Sequence, residues 1–315
     1  MLAQKISNHL KKLASKYPEI KREFYPSSEE ESTSEEEDPN SKGFVDPLLE
    51  EKFTPVKGLI HKYPNRALIL LTMVCASYCR FCTRKRTVSE IKKGIISKTD
   101  LERMVDYIKK HPEIKEIILS GGDPLMVPEM LKLALKKFSD LPQIKIIRIG
   151  TRVPVSDPNL VKDDLLRVFQ KVKQPLYVMI HFEHPGEITS ETIRVIEKLR
   201  KTGAILFSQT VFLRGVNDKV EVLEQLFSKL VEIGVKPYYI FRCDPVVGTR
   251  YFWVEPEREV EIMTELRKRL SGLAYPIYVI DAPNGSGKIP VPLNFWKFEL
   301  DHFKDFEGKE QKVIR

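Results

Sequence analysis

Cys75, Cys79 and Cys82 stand in the run Cys75-Ala-Ser-Tyr-Cys79-Arg-Phe-Cys82, just after the apolar segment Ala67-Leu-Ile-Leu-Leu-Thr-Met73. Three thiolates at that spacing can hold three irons of a [4Fe–4S] cube. Cysteine ligation of a cluster ordinarily uses four thiolates, so a missing fourth leaves one iron open to a small molecule that can receive an electron. A structural zinc or a disulfide set is the competing use, but structural zinc takes four closed ligands and the run supplies three. A second constellation is Ser120-Gly-Gly-Asp-Pro124. Its two glycines let the backbone approach a ligand and present carbonyls or amides to it, although a plain tight turn uses the same residues. The third is Asp281-Ala-Pro-Asn-Gly-Ser-Gly-Lys288-Ile289. As a phosphate loop it fails twice, with Ala282 in place of the first glycine and Ile289 where a hydroxyl is required. A lysine there can instead form a Schiff base with pyridoxal phosphate (PLP), the glycines leaving it room. A solvated surface lysine is the other option.

These residues sit at the ends of regularly repeated elements. Short apolar, β-branched-rich runs occur at Ala67–Met73, Glu116–Ser120, Lys145–Ile149, Leu176–Ile180, Ala204–Thr210, Lys236–Phe241 and Pro276–Ile280. Helical patterns fall between them, at Leu101–Lys110, Pro128–Phe138, Asp164–Lys171, Ser190–Lys201, Val220–Ile233 and Glu257–Leu270. Such alternation predicts βαβ units on a parallel sheet. With no Gly-rich turn after the first strand, the expected fold is α/β, a partial and open parallel βα barrel. In such a barrel the loops after the strands share one mouth, where catalytic groups gather.

Upstream, residues 1–43 are expected to form an amphipathic helix, Met1–Tyr17, followed by an acidic linker. The run Glu29 to Asp38 reads as a solvated, mobile segment. The body is expected to run from 44 to 315. The chain has 315 residues with 42% hydrophobic content, enough for a sizeable core. Four cysteines, three of them clustered, argue against a secreted disulfide scaffold. No window approaches about 20 consecutive apolar residues, and the start lacks a signal-peptide core, so a cytoplasmic protein without membrane contact is expected. The formal net charge of +8 follows from a Lys-rich composition, and no direct nucleic-acid partner is inferred from it.

The CxxxCxxC run is the defining motif of the radical S-adenosylmethionine (SAM) superfamily, and the chain resembles the lysine 2,3-aminomutase family within it. The similarity runs from about Phe44 past Lys288. It is carried by Tyr63-Pro-Asn-Arg66, Cys79-Arg-Phe-Cys-Thr-Arg84, Ser120-Gly-Gly-Asp-Pro-Leu125, Ile149-Gly-Thr-Arg-Val-Pro154, His181-Phe-Glu-His-Pro185, Leu213-Arg-Gly-Val-Asn-Asp218 and the stretch from Asp281-Ala-Pro to Gly-Lys-Ile-Pro-Val291. The resemblance implies a [4Fe–4S] cluster on Cys75, Cys79 and Cys82, SAM against Gly121, Gly122 and Asp123, and PLP on Lys288 with Arg66 near its phosphate. The family's usual Glu in the SAM loop is Asp123 here, and its all-glycine loop before the lysine carries Asn284 and Ser286.

The substrate that the resemblance implies is L-lysine, which would be converted to β-lysine. Arg84 matches the family position that holds the substrate carboxylate, and a guanidinium suits that geometry. Asp244 and Asp281 match the two acids that hold the distal ammonium, which argues against glutamate as the substrate. Other amino acids, or an Fe–S protein without PLP chemistry, are the rival readings. The family implies a flavodoxin- or ferredoxin-type electron donor and a homo-oligomer. Short bacterial members make β-lysine for elongation factor P, and the end of this chain soon after Lys288 resembles theirs. Cys243 is given no role, and His181 and His184 are read as structural before catalytic.

Overall fold

The computed structural model describes residues 2–34, 43–88, 96–282, 285, 287–293, 296–297, 302–304 and 309–312. Nine strands form one sheet in sequence order: β1 Leu59–Tyr63, β2 Arg66–Thr72, β3 Glu116–Gly121, β4 Ile146–Thr151, β5 Leu176–His181, β6 Ile205–Val211, β7 Lys236–Phe241, β8 Ile277–Ala282 and β9 Gly287–Pro290. Strands β2 to β8 are parallel, while β1 and β9 pair antiparallel at the two edges. The sheet is therefore an open βα barrel, as expected. A small antiparallel sheet of Trp296–Lys297, His302–Lys304 and Glu310–Lys312 follows it.

Strand burial alternates, in β3 and β4 strictly. Ile117, Leu119, Ile147 and Ile149 are fully buried against the helical layer. Ser120, Arg148, Gly150, Met179, His181 and Gln209 point the other way and line a cavity. The helices carry apolar stripes at helical spacing, such as Leu101, Met104, Val105 and Ile108 on Lys98–Lys109. That helix begins at a capping box of Ser97 and Asp100, which satisfies backbone N–H groups that a helix start leaves free.

The N-terminal segment departs from expectation. Pro18 cannot donate an amide and suits a first helical turn, so the stretch before it ends as α1 Asn8–Ala14 and a second helix begins, α2 Pro18–Phe24. A third, α3 Ser28–Ser34, takes up the first half of the acidic run. Glu30 is 1% exposed and pairs with Arg80, itself fully buried, and with Lys85. Glu30 is thus not solvated, because a buried cation needs its carboxylate, while Glu29, Glu31 and Ser32 stay exposed; residues 35–38 lie outside those described. Among the described residues no helix is long and apolar enough to cross a membrane.

Candidate active site

A cavity of about 540 Å³ opens at the carboxyl ends of the strands. All eleven residues given a site role from the sequence line it: Arg66, Cys75, Cys79, Cys82, Arg84, Gly121, Gly122, Asp123, Asp244, Asp281 and Lys288.

The cysteine loop leaves β2 and is clasped by the N-terminal segment. Lys5 donates from Nζ to the Cys75 carbonyl at 2.6 Å, and the Tyr78 amide donates to the Lys5 carbonyl at 2.9 Å. The Arg80 amide donates to the Glu23 carbonyl at 2.8 Å, while the Arg80 guanidinium reaches the carbonyls of Leu2 and Ala3. All three thiols are free, and burial raises the pKa of each, that of Cys79 to about 12. Among the described residues no three such side chains converge on one point as a single ion requires. A cluster makes no such demand, since each thiolate meets a different iron atom.

On its other side the loop is locked to the Gly-Gly turn. Gly121 has φ +133°, and a Cβ there would lie 2.1 Å from the Thr72 carbonyl oxygen; one on Gly122 would lie 2.6 Å from that of Val74. The Gly122 amide donates to Thr72 O at 2.6 Å, and the Asp123 amide to Val74 O at 2.9 Å. The Asp123 carboxylate ties β3 to β4. It accepts from Thr151 Oγ1 and from the amides of Leu125, Arg152 and Val153. Burial still outweighs these donors and lifts its pKa to about 6.

Across the mouth, Lys288 on β9 pairs in register with Asp281 on β8. Its Nζ lies 2.5 Å from Asp281 Oδ2 and 4.4 Å from the centre of the Phe241 ring, a cation–π arrangement. Its amide donates to the Tyr63 hydroxyl at 3.0 Å, a contact made close by Gly287 at φ +99°. Asp244, at the end of β7, forms no ion pair among the described residues, and burial and the Asp281 charge raise its pKa to about 7. Above about pH 7 the pair thus carries more negative charge than Lys288 neutralises. Asn284 and Ser286 lie outside the described residues.

Arg84 is held with Nε and Nη2 on Glu50 (2.6 to 3.1 Å) and Nη1 on the Gly121 carbonyl at 3.1 Å, and it lines the cavity. Arg66 stacks 3.7 Å over Tyr63 and has no carboxylate partner among the described residues. His181 lines the cavity, its pKa lowered to about 4 by burial and the Arg152 charge. His184 is structural: its Nδ1 accepts from the Gly186 amide and its ring packs on Tyr17. Cys243 is buried and does not reach the cavity.

Sequence reasoning missed Arg152, Glu23 and Glu50. Arg152 lies inside a quoted motif, but its partners come from elements remote in the chain. Glu23 and Glu50 belong to segments with no motif at all.

The Radical SAM superfamily model matches residues 69–226. The chain belongs to that superfamily. Within it, the chain belongs to the lysine 2,3-aminomutase family. It is 42% identical over 267 residues to the L-lysine 2,3-aminomutase of Methanococcus maripaludis, covering 84% of this chain and 61% of that one. It is also 42% identical over 274 residues to an Aquifex aeolicus protein provisionally named L-lysine 2,3-aminomutase, covering 85% and 73%. The chain thus spans about 60% of the length of the first of these relatives. A radical SAM methyltransferase from Sphaerobacter thermophilus shares the fold, with a TM-score of 0.50 at 15% identity over 70% of this chain and 68% of that one.

Proposed function

We propose that the cavity is the active site of an L-lysine 2,3-aminomutase, which moves the α-amino group of lysine to Cβ as a hydrogen moves from Cβ to Cα. The observation that carries this reading is the ammonium of Lys288 between Asp281 and the Phe241 ring, with Asp244 left over. The protein already binds an alkylammonium there, and the second carboxylate prepares the place for the side-chain ammonium of a free lysine. A glutamate side chain would meet repulsion from both acids.

The donor sets fit the groups that the family uses. Cys75, Cys79 and Cys82 offer three free thiols around one cavity, suited to a [4Fe–4S] cluster with one open iron. Gly121 and Gly122 bring backbone close enough for SAM. Lys288 follows a glycine of positive φ, and Arg66 is a guanidinium with no carboxylate partner among the described residues, suited to PLP and its phosphate. When bound, the cluster with SAM supplies a carbon radical that abstracts hydrogen, and PLP supplies a conjugated nitrogen-linked system that lets the amino group migrate.

The residues of the chain do the positioning. Arg84, held rigid by Glu50 and Gly121 O, presents a guanidinium to the substrate carboxylate. Asp244 and Asp281 anchor the ammonium, five and six strands further along the curled sheet from β2. A substrate fixed at both ends presents one carbon to the abstracting group, which is how proximity lowers a barrier. Electrons would come one at a time from a flavodoxin- or ferredoxin-type donor, and elongation factor P is the destination for β-lysine that the family suggests.

The test is oxygen-free incubation of the reduced protein, reconstituted with iron, sulfide, SAM and PLP, with lysine, glutamate and arginine in turn. β-Lysine from lysine alone is expected, and none formed would refute the reading. Lys288→Ala should abolish the PLP absorption band near the visible edge. A wild-type chain without that band would leave an Fe–S protein with no PLP chemistry.

A further inference from the structure

Arg152 stands apart from every role assigned above. It leaves the end of β4, and its Nη1 donates to Cys79 Sγ at 2.9 Å. Among the described residues no other side chain donates to any of the three sulfurs. Its Nη2 is shared by two fully buried carboxylates, Glu23 of α2 at 2.5 Å and Glu187 of the loop after β5 at 2.7 Å. The guanidinium carbon lies 4.8 Å from the Phe24 ring centre and 5.5 Å from that of Phe81. The backbone amide of Arg152 is tied to Asp123. Held at so many points, the guanidinium cannot swing away from the sulfur.

We propose that Arg152 tunes the reduction potential of the cluster through Cys79, with Glu187 and Glu23 setting how much positive charge the sulfur feels. This rests on the assignment of Cys79 as a cluster ligand. Reduction adds one electron from the external donor and makes the cluster more negative. An N–H donated to a ligating sulfur and a nearby positive charge both favour that state, and the effect is large where water is excluded. Arg152 is a positioning and tuning residue and not a catalytic one. The arrangement also gives α2 an electrostatic link to the cluster, because the guanidinium bridges the Glu23 carboxylate and Cys79 Sγ.

The test is a potentiometric titration of the reconstituted, oxygen-free protein, followed by the electron paramagnetic resonance signal of the reduced cluster. Arg152→Gln can still donate an N–H but carries no charge, and should make the cluster at least tenfold harder to reduce, a downward shift of 59 mV for one electron. Arg152→Lys keeps the charge without the fork and should shift the potential in the same direction by less. Glu187→Gln removes a counter-charge and should shift it upward. If Arg152→Gln does not assemble a cluster, the opposite signs of the other two variants decide. Clusters that titrate at the wild-type potential, or shifts of one sign throughout, would overturn the proposal while leaving the ligand assignment intact. A wild-type chain that binds no cluster would overturn both.

Discussion

Replacing Asp244 by asparagine should stabilise the protein while impairing its use of lysine. In the folded chain the Asp244 carboxyl holds its proton up to a pKa of about 7, because it is buried and faces Asp281, with only partial relief from Lys288 and Lys62. The ordinary value is 3.8, so the folded state binds this proton more tightly than the unfolded chain. Stability from this group is therefore lost as pH rises. Nothing is lost below the unfolded pKa, the loss grows between about pH 4 and 7, and it is complete above that range. Three pKa units correspond to about 4 kcal/mol at pH 8, and to less than half of that at pH 5. Asp244→Asn removes the charge, so its urea midpoint should exceed that of the wild type at both pH values, by less than half as much at pH 5 as at pH 8. The variant should also need far more lysine to reach half-maximal rate, since the ammonium loses one of its two acids. A stability difference independent of pH, or a variant less stable at pH 8, would refute the electrostatic account of this pair.

Gly121→Ala should lose stability and cluster content together. Its Cβ would press on Thr72 O at a φ that costs about 1–3 kcal/mol before the clash, and urea unfolding with iron analysis would measure both losses. Glu30→Gln should cost about 3–5 kcal/mol by leaving Arg80 an uncompensated buried charge, read as a lower urea midpoint; an unchanged midpoint would mean that α3 does not hold the cysteine loop. Tyr63→Phe removes the acceptor for the Lys288 amide. The loss is worth about 1 kcal/mol and should weaken PLP retention roughly fivefold in a dialysis titration, with little change in the unfolding midpoint.

Much of the barrel was legible because local rules and tertiary structure agree in it. Strands β2 to β8 fall within a few residues of the β-branched runs, and the helices within a few residues of their apolar stripes. A parallel sheet then requires that the loops after the strands meet, so Cys75, Gly121, Asp244 and Lys288 share one cavity despite their separation in the chain. Within the acidic run, Glu30 was misread because composition reports only average solvation. Glu30 belongs to an acidic run that would be solvated in isolation, and it is buried because Arg80 needs a counter-charge there.

The sequence alone determined the chemistry this chain can support: three thiolates at cluster spacing, two glycines where a ligand's backbone contact is needed, a lysine after a glycine, and two acids at strand ends. Those are properties of residue type and spacing along one strand or loop. Only the tertiary structure decided the electrostatics. It engaged the Asp123 carboxylate in tying β3 to β4, set the Lys288 ammonium on Asp281, left Asp244 without an ion pair among the described residues, and placed Arg152 between Cys79 and two buried glutamates. Charge interactions depend on distance and burial, and both are set by segments that meet only when the chain is folded.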